Sequence, residues 1–220
     1  VQPRTIVVLD IAGAVEMPWV SKVPAIITQF MPGQEAGHAL ANILLGKVNP
    51  SGKLPITFPV SNSDIWLKTE KQYPGIKLVE EYTEGLFVGY RWFDKEGKQP
   101  LFPFGHGLSY TTFGYSDLSV SSSGEVSFTV NNTGTVAGAE VAQLYISFPD
   151  GVGEPPKQLR NFEKVTLKPG ESTNIKFQLM PRDLSIFDVN SEEFVVVHGK
   201  FVAHIGSSSR DLRLHADFTN

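Results

Sequence analysis

Apolar residues follow three different rhythms along this chain. Near the start come two short, nearly unbroken apolar runs, Thr5-Ile-Val-Val-Leu9 and Pro24-Ala-Ile-Ile-Thr-Gln-Phe30. Runs rich in β-branched residues and without polar alternation mark strands buried on both faces, as in parallel sheets. Between Glu35 and Leu45, the residues Ala36, Ala39, Leu40, Ile43 and Leu44 recur at helical spacing. Gly46 stands where a helix C-terminus takes a left-handed glycine. Gly52-Lys-Leu-Pro-Ile-Thr-Phe58 reads as a third strand, and Pro55, with no N–H to give, predicts that it lies at an edge. Strand, helix and strand joined by short Gly/Pro turns build an open parallel sheet. About 60 residues are too few to close a core around such a sheet. Residues 1–60 are therefore expected to form the carboxy-terminal part of an α/β sandwich whose first strands precede Val1.

The rhythm fades over residues 61–113. Long stretches without periodicity are functional or packed over another surface. The aromatics here (Tyr73, Tyr82, Phe87, Tyr90, Trp92, Phe93, Phe102, Phe104) point to packing, because a free linker would be polar. An aromatic-rich connector is expected.

From residue 114 onward the pattern alternates. Strands are predicted at 115–120, 125–131, 140–148, 159–167, 173–179, 194–197, 201–206 and 212–218. They are separated by the turn signals Ser123-Gly124, Asn132-Thr-Gly134, Lys168-Pro-Gly170 and Asn190-Ser191. Strands at this spacing make an immunoglobulin-like sandwich, and without cysteines for an inter-sheet bridge the fibronectin version is expected over 114–220. The fold class is thus α+β multi-domain: a partial α/β sandwich with a parallel sheet, then an all-β immunoglobulin/fibronectin III-like sandwich.

Composition narrows the function. Of the 220 residues 41% are hydrophobic and 19% charged, as in a globular protein, and the net charge of -4 argues against nucleic acid or an anionic membrane as partner. With no cysteine, disulfides and Cys-based metal or redox sites are excluded. No apolar run approaches the roughly 18 residues that cross a bilayer. The chain begins at Val1 with no signal peptide visible, and it reads as a processed or excised piece.

Three segments carry a resemblance. The first is Phe30-Met-Pro-Gly-Gln-Glu-Ala-Gly37 with Ala41-Asn-Ile-Leu-Leu-Gly-Lys-Val-Asn-Pro-Ser-Gly-Lys-Leu-Pro55. The second is Tyr82-Thr-Glu-Gly-Leu-Phe-Val-Gly-Tyr-Arg-Trp-Phe-Asp94. The third is Leu101-Phe-Pro-Phe-Gly-His-Gly-Leu-Ser-Tyr-Thr-Thr-Phe113. In this order they resemble the end of the α/β domain and the connector of family 3 glycoside hydrolases. The stretch Val130 to Tyr145 and the segment Pro156-Lys-Gln-Leu-Arg-Asn-Phe162 are similar to the fibronectin-like domain of such enzymes.

The resemblance implies a β-glucosidase-like hydrolase that removes terminal sugars from β-linked oligosaccharides or aryl glycosides with retention and without a cofactor. Retention needs a nucleophilic carboxylate and an acid/base carboxyl about 5–5.5 Å apart. The family's nucleophilic Asp and acid/base Glu belong to motifs upstream of this chain, so no catalytic residue is assigned here. Expected partners are the missing amino-terminal domains or a second copy, and the expected location is secreted or periplasmic. The alternative is a non-catalytic β-sandwich module that binds carbohydrate or protein, which an exposed aromatic row on one sheet face would favour.

Some residues admit two readings. Glu80, Glu81 and Glu84 cluster beside Tyr82 and Arg91. A carboxylate next to an aromatic can serve a sugar, and Glu84, Arg91 and Tyr82 are the substrate-proximal candidates. The plainer reading is that Glu84 and Arg91 anchor the connector by a charge-assisted hydrogen bond. Asp10 ends a parallel strand, where open α/β sheets bind ligands, and it also suits a turn cap. Glu35 complements the dipole of the following helix. Gly33 and Gly37 suit a tight turn and close helix–sheet packing and lack the spacing of a phosphate loop. Trp92, Phe102 and Phe104 read as core. The histidines 38, 106, 198, 204 and 215 lack metal-ligand spacing, and His106 reads as structural. Asn131-Asn-Thr133 fits both a glycosylation sequon and turn chemistry. Neither a Ser-His-Asp order nor a Gly-x-Ser-x-Gly elbow stands out.

Overall fold

The computed structural model describes residues 2–220. Strands β1 (Ile6–Leu9) and β2 (Ala25–Thr28) pair in parallel, with Ile6 opposite Ala25 and Leu9 opposite Thr28. Helix α1 (Ala36–Leu44) follows. It ends as its glycine predicts: Gly46, at φ 69°, donates its N–H to Ile43, and Lys47 donates to Asn42. This pair of bonds satisfies two orphan carbonyls of the last turn.

The third strand is not formed. Residues 52–58 run beside 101–106 instead, with Leu54 N–H donating to His106 O and Phe58 N–H to Phe102 O, both at 2.8 Å. Only an isolated bridge, Phe58–Phe102, results. Pro55, Pro59 and Pro103 each remove a ladder donor, so the pairing cannot lengthen. The parallel sheet therefore has two strands, and neither is buried on both faces. No residue of α1 is buried, and Leu45 and Met31 are 69% and 83% exposed.

The sandwich follows the expected alternation. Its strands are β3 (Phe113–Val120), β4 (Glu125–Asn132), β5 (Gly138–Ser147), β6 (Gln158–Leu167), β7 (Ser172–Gln178), β8 (Ser185–Asp188), β9 (Glu193–Val196), β10 (Lys200–Gly206) and β11 (Leu212–Thr219). They form a four-stranded sheet β11-β10-β5-β6, a three-stranded sheet β3-β4-β7 and a separate β8-β9 hairpin. Val126, Phe128 and Val130 of β4 face Ala142, Leu144 and Ile146 of β5 and Phe201, Ala203 and Ile205 of β10 across the core. Each is wholly buried, and large side chains so placed stabilise by roughly 1.5–3 kcal/mol apiece. At the end of β4, Asn132 replaces a disulfide as the inter-sheet tie. Its amide donates to Val136 O and Leu167 O and accepts from Thr111 Oγ1 and Gly134 N–H. That is turn chemistry, with every polar atom satisfied. β8 has no counterpart among the predicted strands; it is four residues long and pairs only with β9.

β5 breaks the alternation. Gln143 and Tyr145 point away from the core, yet both are buried, because the connector lies over them.

Candidate functional site

The connector is ordered by caps and aromatic stacking. Ser61 accepts from Ser63 N–H and gives its own N–H to Asp64 Oδ2, which closes one turn of 3-10 helix. Asp64 also accepts from Trp92 Nε1 through its carbonyl and from Lys98 Nζ through its carboxylate. Helix α2 (Tyr90–Lys95), which the sequence did not announce, starts at Gly89. The φ of 59° there turns the chain in a way that favours glycine.

From α2 the side chains reach the sandwich. Tyr90 stacks on Phe104 at 5.1 Å and meets Tyr145 edge-on at 5.8 Å, and its hydroxyl accepts from Leu159 N–H. Burial raises the Tyr90 phenol above its ordinary value. Tyr145 donates its hydroxyl proton to Gln143 Oε1, and Gln143 Nε2 donates to Ser207 O. Beside this stack Asp94 takes Lys157 and Arg210 on its two carboxylate oxygens, and the Asp94 side chain is only 5% exposed. Burial pulls the Lys157 ammonium below its usual range, while the hydrogen bond from Asp94 pushes the other way. A second buried pair, Lys53 with Glu140 at 2.7 Å, joins the residues before the connector to β5. Asn49 adds a third tie, accepting from Ser109 and Tyr110 and donating to Ala137 O.

Of the sequence candidates, Tyr82 lies on the surface, 79% exposed. Glu84 is half-buried, and its Oε2 is enclosed without a hydrogen-bond partner among the described residues. Arg91 donates through Nε to Val88 O, and its guanidinium lies 5.9 Å from the Tyr90 ring. Glu84 and Arg91 do not form an ion pair, so the expected anchor between them is absent. The anchor is Asp94 instead, which closes the same motif three residues after Arg91. Glu81 pairs with Lys71 at 3.4 Å in solvent. Asp10 accepts from Gln29 Nε2, and Glu35 pairs with His38, both on the surface. His106 stacks on Phe102 at 5.5 Å, and its pKa is lowered first by burial and then by the nearby Lys53 charge.

A general acid in glycoside hydrolysis needs a raised carboxyl pKa. The carboxyls displaced in this chain, Asp64, Asp188, Asp211 and Asp217, are all lowered. The leading causes are hydrogen bonds from Lys98, the Asn190 backbone, Arg213 and Lys200 respectively. The arrangement ties the connector to the sandwich and positions its side chains.

Comparison with known proteins fits this picture. Residues 1–110 match the family described as glycosyl hydrolase family 3 C-terminal domain, and residues 140–209 match the fibronectin type III-like domain. Beta-glucosidase BoGH3A of Bacteroides ovatus is 44% identical over 97% of this chain and 30% of its own length. Thermostable beta-glucosidase B of Acetivibrio thermocellus is 45% identical over 97% of this chain and 29% of its own length. The crystal structure of DesR, a β-glucosidase from Streptomyces venezuelae in complex with D-glucose, superposes with a TM-score of 0.93 at 41% identity. That match covers 99% of this chain and 29% of DesR. The chain thus spans about 30% of the length of the curated relatives it matches. On the match over its first half, this chain belongs to the glycosyl hydrolase family 3 C-terminal domain family, and it carries a fibronectin type III-like domain behind it.

Proposed function

We propose that this chain is the carboxy-terminal portion of a retaining, β-glucosidase-like hydrolase that removes terminal β-linked sugars, and that it supports and borders the active site without supplying the catalytic pair. The observation that carries this reading is the incompleteness of the α/β piece. A two-stranded parallel sheet has open edges on both sides, and helix α1 has no buried residue. Parallel sheets are otherwise covered on both faces. The apolar surface of Ile6, Met31, Leu44 and Leu45 needs the remainder of an α/β domain against it. Relatives of about three times this length, whose names describe β-glucosidases, supply the class of reaction.

In this reading the connector is the segment nearest the sugar. Glu84 offers an enclosed oxygen that awaits a donor, Tyr82 an exposed ring, and Arg91 a guanidinium held in place by Val88. The large exposed aromatics of the sandwich do not form a row. Phe162 lies on β6, and Phe187 and Phe194 face each other on the β8-β9 hairpin. That arrangement gives the binding-module alternative no platform. The test is made in the longer protein that contains this chain. Glu84→Gln and Tyr82→Ala are expected to change kcat/KM for an aryl β-glucoside at least tenfold while leaving the thermal midpoint in place. Unchanged kinetics in both variants would place the segment away from the sugar.

A further inference from the structure

The outer face of the four-stranded sheet carries a second concentration of chemistry, away from the connector candidates. His204 of β10 stands directly opposite His215 of β11. Gly199 and Asn220 exchange both of their backbone hydrogen bonds. Counting in register from that pair, 201/218 and 203/216 are hydrogen-bonded pairs and 204/215 is a non-hydrogen-bonded one. In such pairs the Cα atoms approach to about 4.5 Å and the side chains are closest. Phe201, Ala203 and Ile205 point into the core, so the two histidines project outward together, with His215 exposed.

The tautomer of His204 follows from its neighbour. Ser147 donates its single hydroxyl proton to Pro156 O at 2.6 Å. Its oxygen can therefore only accept at the 3.0 Å contact with His204 Nε2. His204 is thereby fixed with the proton on Nε2 and the lone pair free on Nδ1. A ring N–H held by a neighbouring oxygen while the other nitrogen stays open is how metal-binding histidines are oriented.

We propose that His204 and His215 are a chelating pair for a late first-row divalent cation, through Nδ1 of His204 and a ring nitrogen of His215, with water filling the remaining positions. Among the described residues no group of three or more His, Asp or Glu converges on one point, so a closed tetrahedral zinc cage is not on offer. Open nitrogen/oxygen sites of this kind suit Cu2+ and Ni2+, with Cu2+ held more tightly. Asp217 lies diagonal to His204 on the same face with its own oxygen engaged by Lys200 at 2.7 Å, and the Lys157 charge acts on His204 more strongly than Asp217 does, so the two nitrogens and not the local potential carry the site.

The experiment is a Cu2+ titration of the full chain in competition with free glycine, followed by the visible absorption of the copper complex. One equivalent per chain is expected to bind. Either His204→Asn or His215→Asn weakens binding tenfold or more, and His38→Asn, at a histidine elsewhere on the surface, leaves it unchanged. Ser147→Ala releases the ring without removing a ligand and is expected to lower affinity by about tenfold. Circular dichroism checks that each variant remains folded, and His215, being exposed, is the variant that decides if His204→Asn unfolds. A site that survives His215→Asn at full affinity, or wild-type binding no tighter than that of a variant carrying both His204→Asn and His215→Asn, overturns the proposal.

Discussion

Replacing Asp94 with alanine should release the connector from the sandwich. In the native protein its carboxylate compensates Lys157, whose side chain is 11% exposed, and Arg210, which is 25% exposed. Alanine leaves the lysine charge enclosed and unpaired. Removing one partner of a buried pair costs about 3–5 kcal/mol. The lower end applies here, because Arg210 keeps its hydrogen bond to Lys98 O and reaches solvent. At about 3 kcal/mol, and roughly 2–4 °C per kcal/mol for a chain of this size, the thermal midpoint should fall by about 6–12 °C. Lys157→Met in the same background removes the stranded charge and should recover part of the loss. Differential scanning calorimetry of the wild type, the two single variants and the double variant measures all of this. A cost below about 1 kcal/mol for Asp94→Ala, or a double variant no more stable than Asp94→Ala alone, would refute the assignment of Asp94 as the anchor.

Other substitutions probe other contacts. A Cβ at Gly107 would stand 2.1 Å from the Gly52 carbonyl oxygen, so Gly107→Ala should force the two segments apart at a cost of about 1–3 kcal/mol, read by guanidinium denaturation. Asn132→Ala strands several enclosed partners at once and should cost at least about 2 kcal/mol, whereas the neighbouring Asn131→Ala, off the core, should cost far less. Burial depresses both His106 and His204, so as pH falls below about 6.5 the unfolded chain takes up protons first and the folded state loses stability down to the lowered folded pKa. His106→Gln should flatten that limb between pH 7 and 5 in urea titrations, and an unchanged slope would contradict the sign.

The sandwich was legible because its signal is local. Most strands alternate on their own, and Gly or Asn marks several of the corners, as at Gly124, Asn132 and Gly170. The helix after Phe30 was legible for the same reason, down to the glycine that ends it. Failures came where a distant partner decides. Residues 52–58 are β-prone, yet their pairing lies with 101–106, and three prolines cap its length. β5 reads as alternating until the connector covers its outer face. The buried ties Lys53–Glu140 and Asp94–Lys157–Arg210 join residues 63 or more positions apart, and no spacing rule reaches that far. Glu84 and Arg91 looked like partners because they share a motif, but the helix that begins at Tyr90 turns Arg91 toward Val88 instead.

If, as we propose, this chain supports a glycosidase without holding its catalytic carboxyls, the purified chain alone should not cleave a β-glucoside. The direct measurement is hydrolysis of p-nitrophenyl β-glucoside by the purified chain, beside a longer protein that contains it, with intact mass verified on both samples. No turnover above buffer is expected for the chain of 24.2 kDa, and clear turnover for the longer protein. Turnover by the chain alone, retained after repurification, would contradict it and would place a working pair of carboxyls among the residues described above.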